Sequence, residues 1–248
     1  LKIIDLDLAG GAGGSGPVFV PDDSDLDSIY QALHYGISRF LTSVGLDRVV
    51  IGLSGGIDSA VSACLYSRVL DPDNLLLVNM PSIYNSPTTR ELSARLAQNL
   101  GCLYTIAPIQ EAVDLTVRQI SRTPVGKPSG SRDFYLPVSS SVLENIQARD
   151  RSSRLLAALA AAFGGGFTCN ANKSEMTVGY TTLYGDQAGF LAALADLWKH
   201  QVYALAEHLN QNVFGREILP RGIMELVPSA ELSPDQAVDQ GKGDPLAY

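Results

Sequence analysis

Val49-Val50-Ile51-Gly52-Leu53-Ser54-Gly55-Gly56-Ile57-Asp58-Ser59-Ala60-Val61 is the stretch that decides how this chain folds. Its apolar run predicts a buried strand, its glycine pair a tight turn, and the periodic residues after it a helix that starts at once. A strand–turn–helix junction suits an anion. Unpaired backbone N–H groups and the positive end of the helix dipole point at whatever lies over the turn. Two glycines allow close approach, and Ser54 and Ser59 add hydroxyls. Asp58 is the odd member, because a carboxylate beside a phosphate repels it unless a cation lies between them; the stretch therefore implies Mg²⁺.

The bulk of the sequence narrows the class. A chain of 248 residues, 46% hydrophobic, is long enough for one large α/β domain with a full core, or for two small ones. A formal net charge of −8 argues against a non-specific grip on nucleic acid or anionic membrane. No apolar stretch approaches the roughly 20 residues that span a bilayer, and the first residues lack the zones of a signal peptide. Cys64, Cys102 and Cys169 are unclustered and read as reduced, buried thiols of a cytoplasmic protein. His34, His200 and His208 lack zinc-site spacing. Leu1 is not an initiator methionine, so the chain reads as an excised or processed piece.

Working outward, Gly10–Gly16 reads as a flexible linker, which sets residues 1–24 apart from a domain over 25–248. From Asp25 a helical pattern precedes the first strand, Arg48–Leu53. A helix from Ser59 to about Leu70 stops at Asp71-Pro72-Asp73; Leu75–Asn79 follows as a strand, Ser86–Leu100 as a helix and Leu103–Ala107 as a third strand. Residues 121–139, with Arg122, Lys127 and Arg132, form either a lid over phosphates or a solvated charge run. One long helix, Ser141–Phe163, ends at three glycines, and Phe167-Thr168-Cys169 makes a fourth strand. A further helix begins near Lys173 and stops before Tyr184-Gly185-Asp186, and a last one runs from Asp196, its expected N-cap, to Asn210. Alternating strands and helices predict a doubly wound, mostly parallel sheet, Rossmann-like, with helices on both faces.

Five further positions carry chemistry. Asn145 and Arg149 lie four apart on the long helix and share a face, where an Arg can fork onto phosphate or carboxylate. By itself that face, with its Glu144–Arg151 pattern, reads as solvated. Glu175 follows the fourth strand on the rim where Asp58 should sit, and two converging carboxylates suit Mg²⁺ over a triphosphate; pairing with Lys173 or solvent is the plainer alternative. Lys199 opens its helix, where a positive charge opposes the dipole and so suggests work on an anion. Ser229 offers a hydroxyl in a Pro-bounded loop.

The Ser54–Ser59 signature resembles that of the ATP pyrophosphatase (PP-loop) superfamily; no Lys follows its glycines, which separates it from the Walker pattern. With Glu144–Arg149, Asn172-Lys173-Ser174-Glu175, Val178-Gly179-Tyr180, Leu183-Tyr184-Gly185-Asp186, Lys199 and Pro228-Ser229-Ala230-Glu231-Leu232, the chain resembles the NAD synthetase family over roughly residues 25–240. The resemblance implies a ligase that adenylates the carboxylate of nicotinic acid adenine dinucleotide with ATP, releases pyrophosphate, and amidates the acyl-adenylate with ammonia. It implies that Ser54, Gly55, Gly56, Ile57, Asp58, Ser59, Asn170, Lys199 and Ser229 hold ATP. Asp58 and Glu175 would bind Mg²⁺, with Lys199 beside them in catalysis, and Asn145, Arg149 and Asp186 would contact the dinucleotide. A homodimer is implied as well.

Two positions depart from the family's pattern. Leu183 and Phe190 stand where some members carry a Lys and an Asp that contact the substrate. Leu-Tyr-Gly-Asp and Pro-Ser-Ala-Glu-Leu resemble the glutamine-dependent branch, whose members carry an N-terminal nitrilase-like glutaminase domain that supplies ammonia. On this resemblance a C-terminal segment beyond Tyr248 is expected to close the substrate site. Two readings remain beside it: another PP-loop ligase acting on tRNA or a purine nucleotide, and a non-catalytic ATP-binding module.

Overall fold

The computed structural model describes residues 25–130 and 133–244. The expected linker 1–24 and Arg132 lie outside them. Val49 to Leu53 behave as their pattern demands. β1 (Val49–Gly52) is central and pairs in parallel with β2 (Leu75–Asn79) on one side and with β4 (Gly166–Phe167) on the other. β3 (Leu103–Ile106) pairs with β2 on the outer edge, giving the order β3-β2-β1-β4. The chain steps outward from β1 to β3 and then returns to the far side of β1. The order therefore reverses between β1 and β4, and the crevice beyond the carboxyl ends of these strands is where open sheets bind ligands.

Period-two burial assigns the helices to faces. Val49, Ile51, Leu53, Leu75 and Leu77 point into one apolar cluster, Val50 and Val78 into the other. The first cluster is covered by α1 (Leu26–Val44), α2 (Ile57–Ser67), α3 (Pro87–Leu100) and α8 (Lys199–His208). α1 starts on Asp25, whose carboxylate accepts from Ser28 N–H, and ends on left-handed Gly45. α2 is sandwiched against α1, α3 and α8, so nearly all its side chains are buried.

The second face carries α4 (Gln110–Arg122), α5 (Ser140–Arg149) and α6 (Ala157–Phe163), joined through a π-helical segment, Asp150–Leu156. The expected single helix 141–163 is thus continuous in space but wound wide in its middle. α4 is a further element that the sequence reading leaves unassigned. Val113, Val117 and Ile120, at four- and three-residue spacing, fix it to the sheet. Of the 121–139 loop, the described part pairs Val125 with Phe134 in an antiparallel bridge, leaving Phe134, Tyr135 and Leu136 exposed. α7 (Lys173–Val178) follows β4, and α9 (Arg221–Glu225) lies near the carboxyl end. The N-cap of α8 is Trp198, not Asp196: Gln201 Oε1 accepts from the Trp198 N–H at 2.8 Å, so the helix begins two residues later than an acidic cap would start it. Past His208 the helix continues as a π turn, Leu209–Val213.

The turn at the centre of this fold admits no side chain at Gly55. Its φ is +92°, and an added Cβ would lie 2.3 Å from the Thr89 carbonyl oxygen in the first turn of α3. Gly55→Ala is expected to cost about 2 kcal/mol or more, read as a lowered urea midpoint. An unchanged midpoint would remove the close packing of turn and helix.

Candidate active site

At the β1–β4 switch point the turn is pinned by its own hydroxyls. Ser59 Oγ donates to Gly56 O at 3.1 Å and accepts from Ser54 N–H at 3.2 Å, while Ser54 Oγ accepts from Gly56 N–H at 3.2 Å. The first-turn amides of α2 have no intrahelical partner and face the cleft. Asp58 projects from the same turn. Its Oδ2 accepts from Lys199 Nζ at 2.5 Å, and its Oδ1 accepts from Asn172 Nδ2 at 2.9 Å. Lys199 Nζ also reaches Glu175 Oε1 at 3.3 Å. The plainer alternative of Glu175 pairing with Lys173 is not what forms; Lys173 lies over the Trp198 ring instead, 4.7 Å from its centroid.

Local sequence explains these positions. Asn172 and Glu175 form a capping box on α7: Asn172 Oδ1 accepts from Glu175 N–H, and Glu175 Oε2 accepts from Asn172 N–H. The box turns the other oxygen of Glu175 towards Lys199. Asn172, fully buried, is a site residue that the sequence reading gave no role; the Asn-x-x-Glu spacing was the available signal. Lys199 is 4% exposed at the start of α8, whose first N–H donates to Ser174 Oγ.

The electrostatics follow from burial. Desolvation, aided by the Asp58 charge and opposed by Lys199, pushes the Glu175 carboxyl up to about 7. Burial works against the Lys199 ammonium, yet Asp58 and Glu175 together hold its pKa above the ordinary value. One ammonium between two carboxylates leaves the site short of positive charge. A divalent cation is what such a donor set accepts, so Asp58 and Glu175 fit the expected Mg²⁺, completed by phosphate oxygens. Among the described residues no cluster of three or more acidic, His or Cys groups stands ready to hold a metal by itself.

A cavity of about 430 Å³ opens over this cluster. Of the residues expected from sequence to hold ATP, metal or dinucleotide, Arg149 alone is missing from its lining. Arg149 is exposed on the outer face of α5, where Nε donates to Leu183 O at 3.1 Å. Asn145 donates to Ser141 O, and Asp186 accepts from Thr182 N–H. Asn170 is tied to the end of β1 through Gly52 O, and Ser229 Oγ donates to Gln236 O.

Arg151, read from sequence as part of a solvated face, instead stands largely buried on the cleft wall. It donates to Met80 O at 3.0 Å and to Asn85 Oδ1 at 3.0 Å. Burial, partly offset by Glu231 and Asp150, pulls its guanidinium down to about 10. The π segment carries it there, a feature that periodicity does not announce. Phe190 is a core residue stacked on Phe40, while Leu183 is exposed, so neither supplies polar contacts to the cleft.

The sequence profile of the NAD synthase family matches residues 29–243. The glutamine-dependent NAD(+) synthetase of Thermotoga maritima is 36% identical over 229 residues, which are 92% of this chain and 38% of the relative. The chain thus spans well under half the length of the curated relatives it matches. The glutamine-dependent NAD+ synthetase of Acinetobacter baumannii, solved with ADP, superposes with a TM-score of 0.72 at 31% identity, covering 83% of this chain and 37% of that one. An NMN synthetase from Francisella tularensis gives 0.71 at 26%, covering 87% and 80%.

The raised Glu175 pKa has a measurable consequence in the ligand-free protein. Between the ordinary Glu range and about 7 the unfolded chain is ionised while the folded one keeps its proton, so stability falls over that window and stays lowered above it. Glu175→Gln mimics the protonated form and preserves the capping box. It is expected to stabilise the protein by roughly 1–3 kcal/mol at pH 8 and by nothing near pH 4, measured by urea unfolding. A variant less stable than the parent at pH 8 contradicts the charge balance drawn here.

Proposed function

This chain belongs to the NAD synthase family, and we propose that it performs the synthetase reaction: ATP-dependent adenylation of nicotinic acid adenine dinucleotide, then amidation to NAD. One observation carries the reading. Asp58, Glu175 and Lys199 meet at the β1–β4 switch, under a cavity that runs from the Ser54–Ser59 turn to Asn145 and Asp186. Phosphates at one end and a carboxylate-bearing nucleotide at the other fit such a cleft.

In this mechanism the turn amides, Ser54 and Ser59 receive the β- and γ-phosphates, and Asn170, Lys199 and Ser229 bind the rest of ATP. The substrate carboxylate oxygen bonds to the α-phosphorus as the bond to the pyrophosphate oxygen breaks. Asp58 and Glu175 would hold Mg²⁺; when bound, it neutralises charge that grows on the leaving pyrophosphate. Lys199, already between the two carboxylates, lies where it can turn its ammonium to the α-phosphate. Ammonia then attacks the acyl carbon, the bond from that carbon to the AMP oxygen breaks, and the proton shed by the nitrogen passes to solvent; positioning and a deprotonated nucleophile are the chief requirements. Asn145, Asp186 and, from the outer face, Arg149 would contact the dinucleotide.

The same reading carries a homodimer, a cytoplasmic setting and, in the whole protein, ammonia from glutamine through a nitrilase-like glutaminase domain. The relatives' names and greater length support the last of these. No described helix is long and apolar enough to cross a membrane.

AMP and pyrophosphate release is the test, with ATP, Mg²⁺ and ammonium, and with nicotinic acid adenine dinucleotide, nicotinic acid mononucleotide or tRNA as acceptor. Release with the dinucleotide is expected; release with the mononucleotide or tRNA alone reassigns the acceptor, and tight ATP binding without turnover leaves a binding module. Asp58→Asn is expected to lower pyrophosphate release about 100-fold or more with an unchanged circular dichroism spectrum.

A further inference from the structure

Glu231 is 3% exposed and holds a left-handed backbone, φ +49°, where a non-glycine residue is strained. Its carboxylate touches no catalytic group. Oε1 accepts from Ser86 N–H at 3.0 Å; Oε2 accepts from the Thr89 hydroxyl at 2.8 Å and from Asn85 Nδ2 at 3.1 Å. The other end of Asn85 accepts from Arg151 Nη2. A buried anion is thus answered by the first turn of α3 and, through one amide, by a buried guanidinium.

These partners join separate segments around the cavity. Asn85 and Ser86 end the loop after β2, and Arg151 rides the π segment and donates to Met80 O at the start of that loop. Thr89 is the backbone against which Gly55 is packed without room for a Cβ. Glu231 itself anchors the 228–232 loop that carries Ser229. We infer that Glu231 is a positioning residue: through Thr89 it holds the helix turn packed on Gly55 of the phosphate turn, through Asn85 and Arg151 it holds the 80–86 loop, and by clasping both to the 228–232 loop it sets the width of the nucleotide cleft. The inference rests on the reading of that cleft as the ATP site.

The polarity of the clasp allows a swap. Glu231→Gln sets its amide N–H₂ against that of Asn85. Asn85→Asp alone sets two carboxylates face to face. Together they reverse donor and acceptor across the same gap, and an aspartate at 85 still accepts from Arg151 and from Ser82 N–H. Calorimetry with the β,γ-imido analogue of ATP and Mg²⁺ gives the first readout. Each single variant is expected to weaken binding about 10-fold and raise KM for ATP with kcat within about 3-fold, and the double variant to return to within about 3-fold of the parent.

Amide exchange of residues 82–86 and 228–232 in the ligand-free protein gives the second. Both segments are expected to exchange faster in E231Q and to recover in the double variant. Unchanged affinity or exchange in folded E231Q, or a swap that restores neither, overturns the clasp. A parent chain that fails to bind the analogue overturns the ATP reading instead, because the exchange comparison judges the clasp without nucleotide.

Discussion

The Lys199 ammonium, caught between the carboxylates of Asp58 and Glu175, is the contact on which this architecture turns. Each partner opens a different helix: Asp58 stands in the first turn of α2, Glu175 in that of α7 and Lys199 in that of α8. Three positive helix ends therefore converge on one spot. Two carboxylates there are favoured by the dipoles but repel one another, and one cation within reach of both lets them stay. Asn172 locks the arrangement, since one side chain caps α7 and donates to Asp58. Exchanging Asp58 or Glu175 for its amide still leaves one carboxylate paired with the ammonium, whereas removing Lys199 leaves two largely buried carboxylates without their cation, which is far more costly than losing a surface pair.

Much of this was legible in local sequence. The β1–α2 junction announces itself within thirteen residues, because a buried strand, a glycine turn and a helix start are all short-range patterns. Asp58 signalled a missing cation, and Lys199 signalled a misplaced charge at a helix start. That each answers the other across 141 residues is a tertiary fact, and no spacing rule contains it.

What stayed hidden shares that cause. Arg151 lies two residues from Arg149, so helical spacing puts the two guanidiniums on opposite faces without saying which of them meets the cleft, and the widened winding from Asp150 is not written in the pattern. Glu231 sits in a segment whose local reading offers only the Ser229 hydroxyl, while its three partners lie some 145 residues earlier. Asp196 looked like the cap of α8 because acidic side chains favour that place; the backward reach of Gln201 decided otherwise.

The departures at Leu183 and Phe190 follow the same logic of exchange between site and core. Phe190 stacks on Phe40 with ring centroids 5.8 Å apart and meets Tyr66 edge-on, closing the apolar cluster beneath α1. Its ring fills the space that a Cβ at Gly166 would need, only 2.6 Å from Phe190 Cδ1. The first residue of β4 is therefore matched to a phenylalanine at 190, and no carboxylate at 190 could reach that pocket without burying an unpaired charge. This chain thus commits position 190 to packing. The polar wall facing the cleft falls instead to Asn145 and Asp186, which line the cavity, with Arg151 beside them.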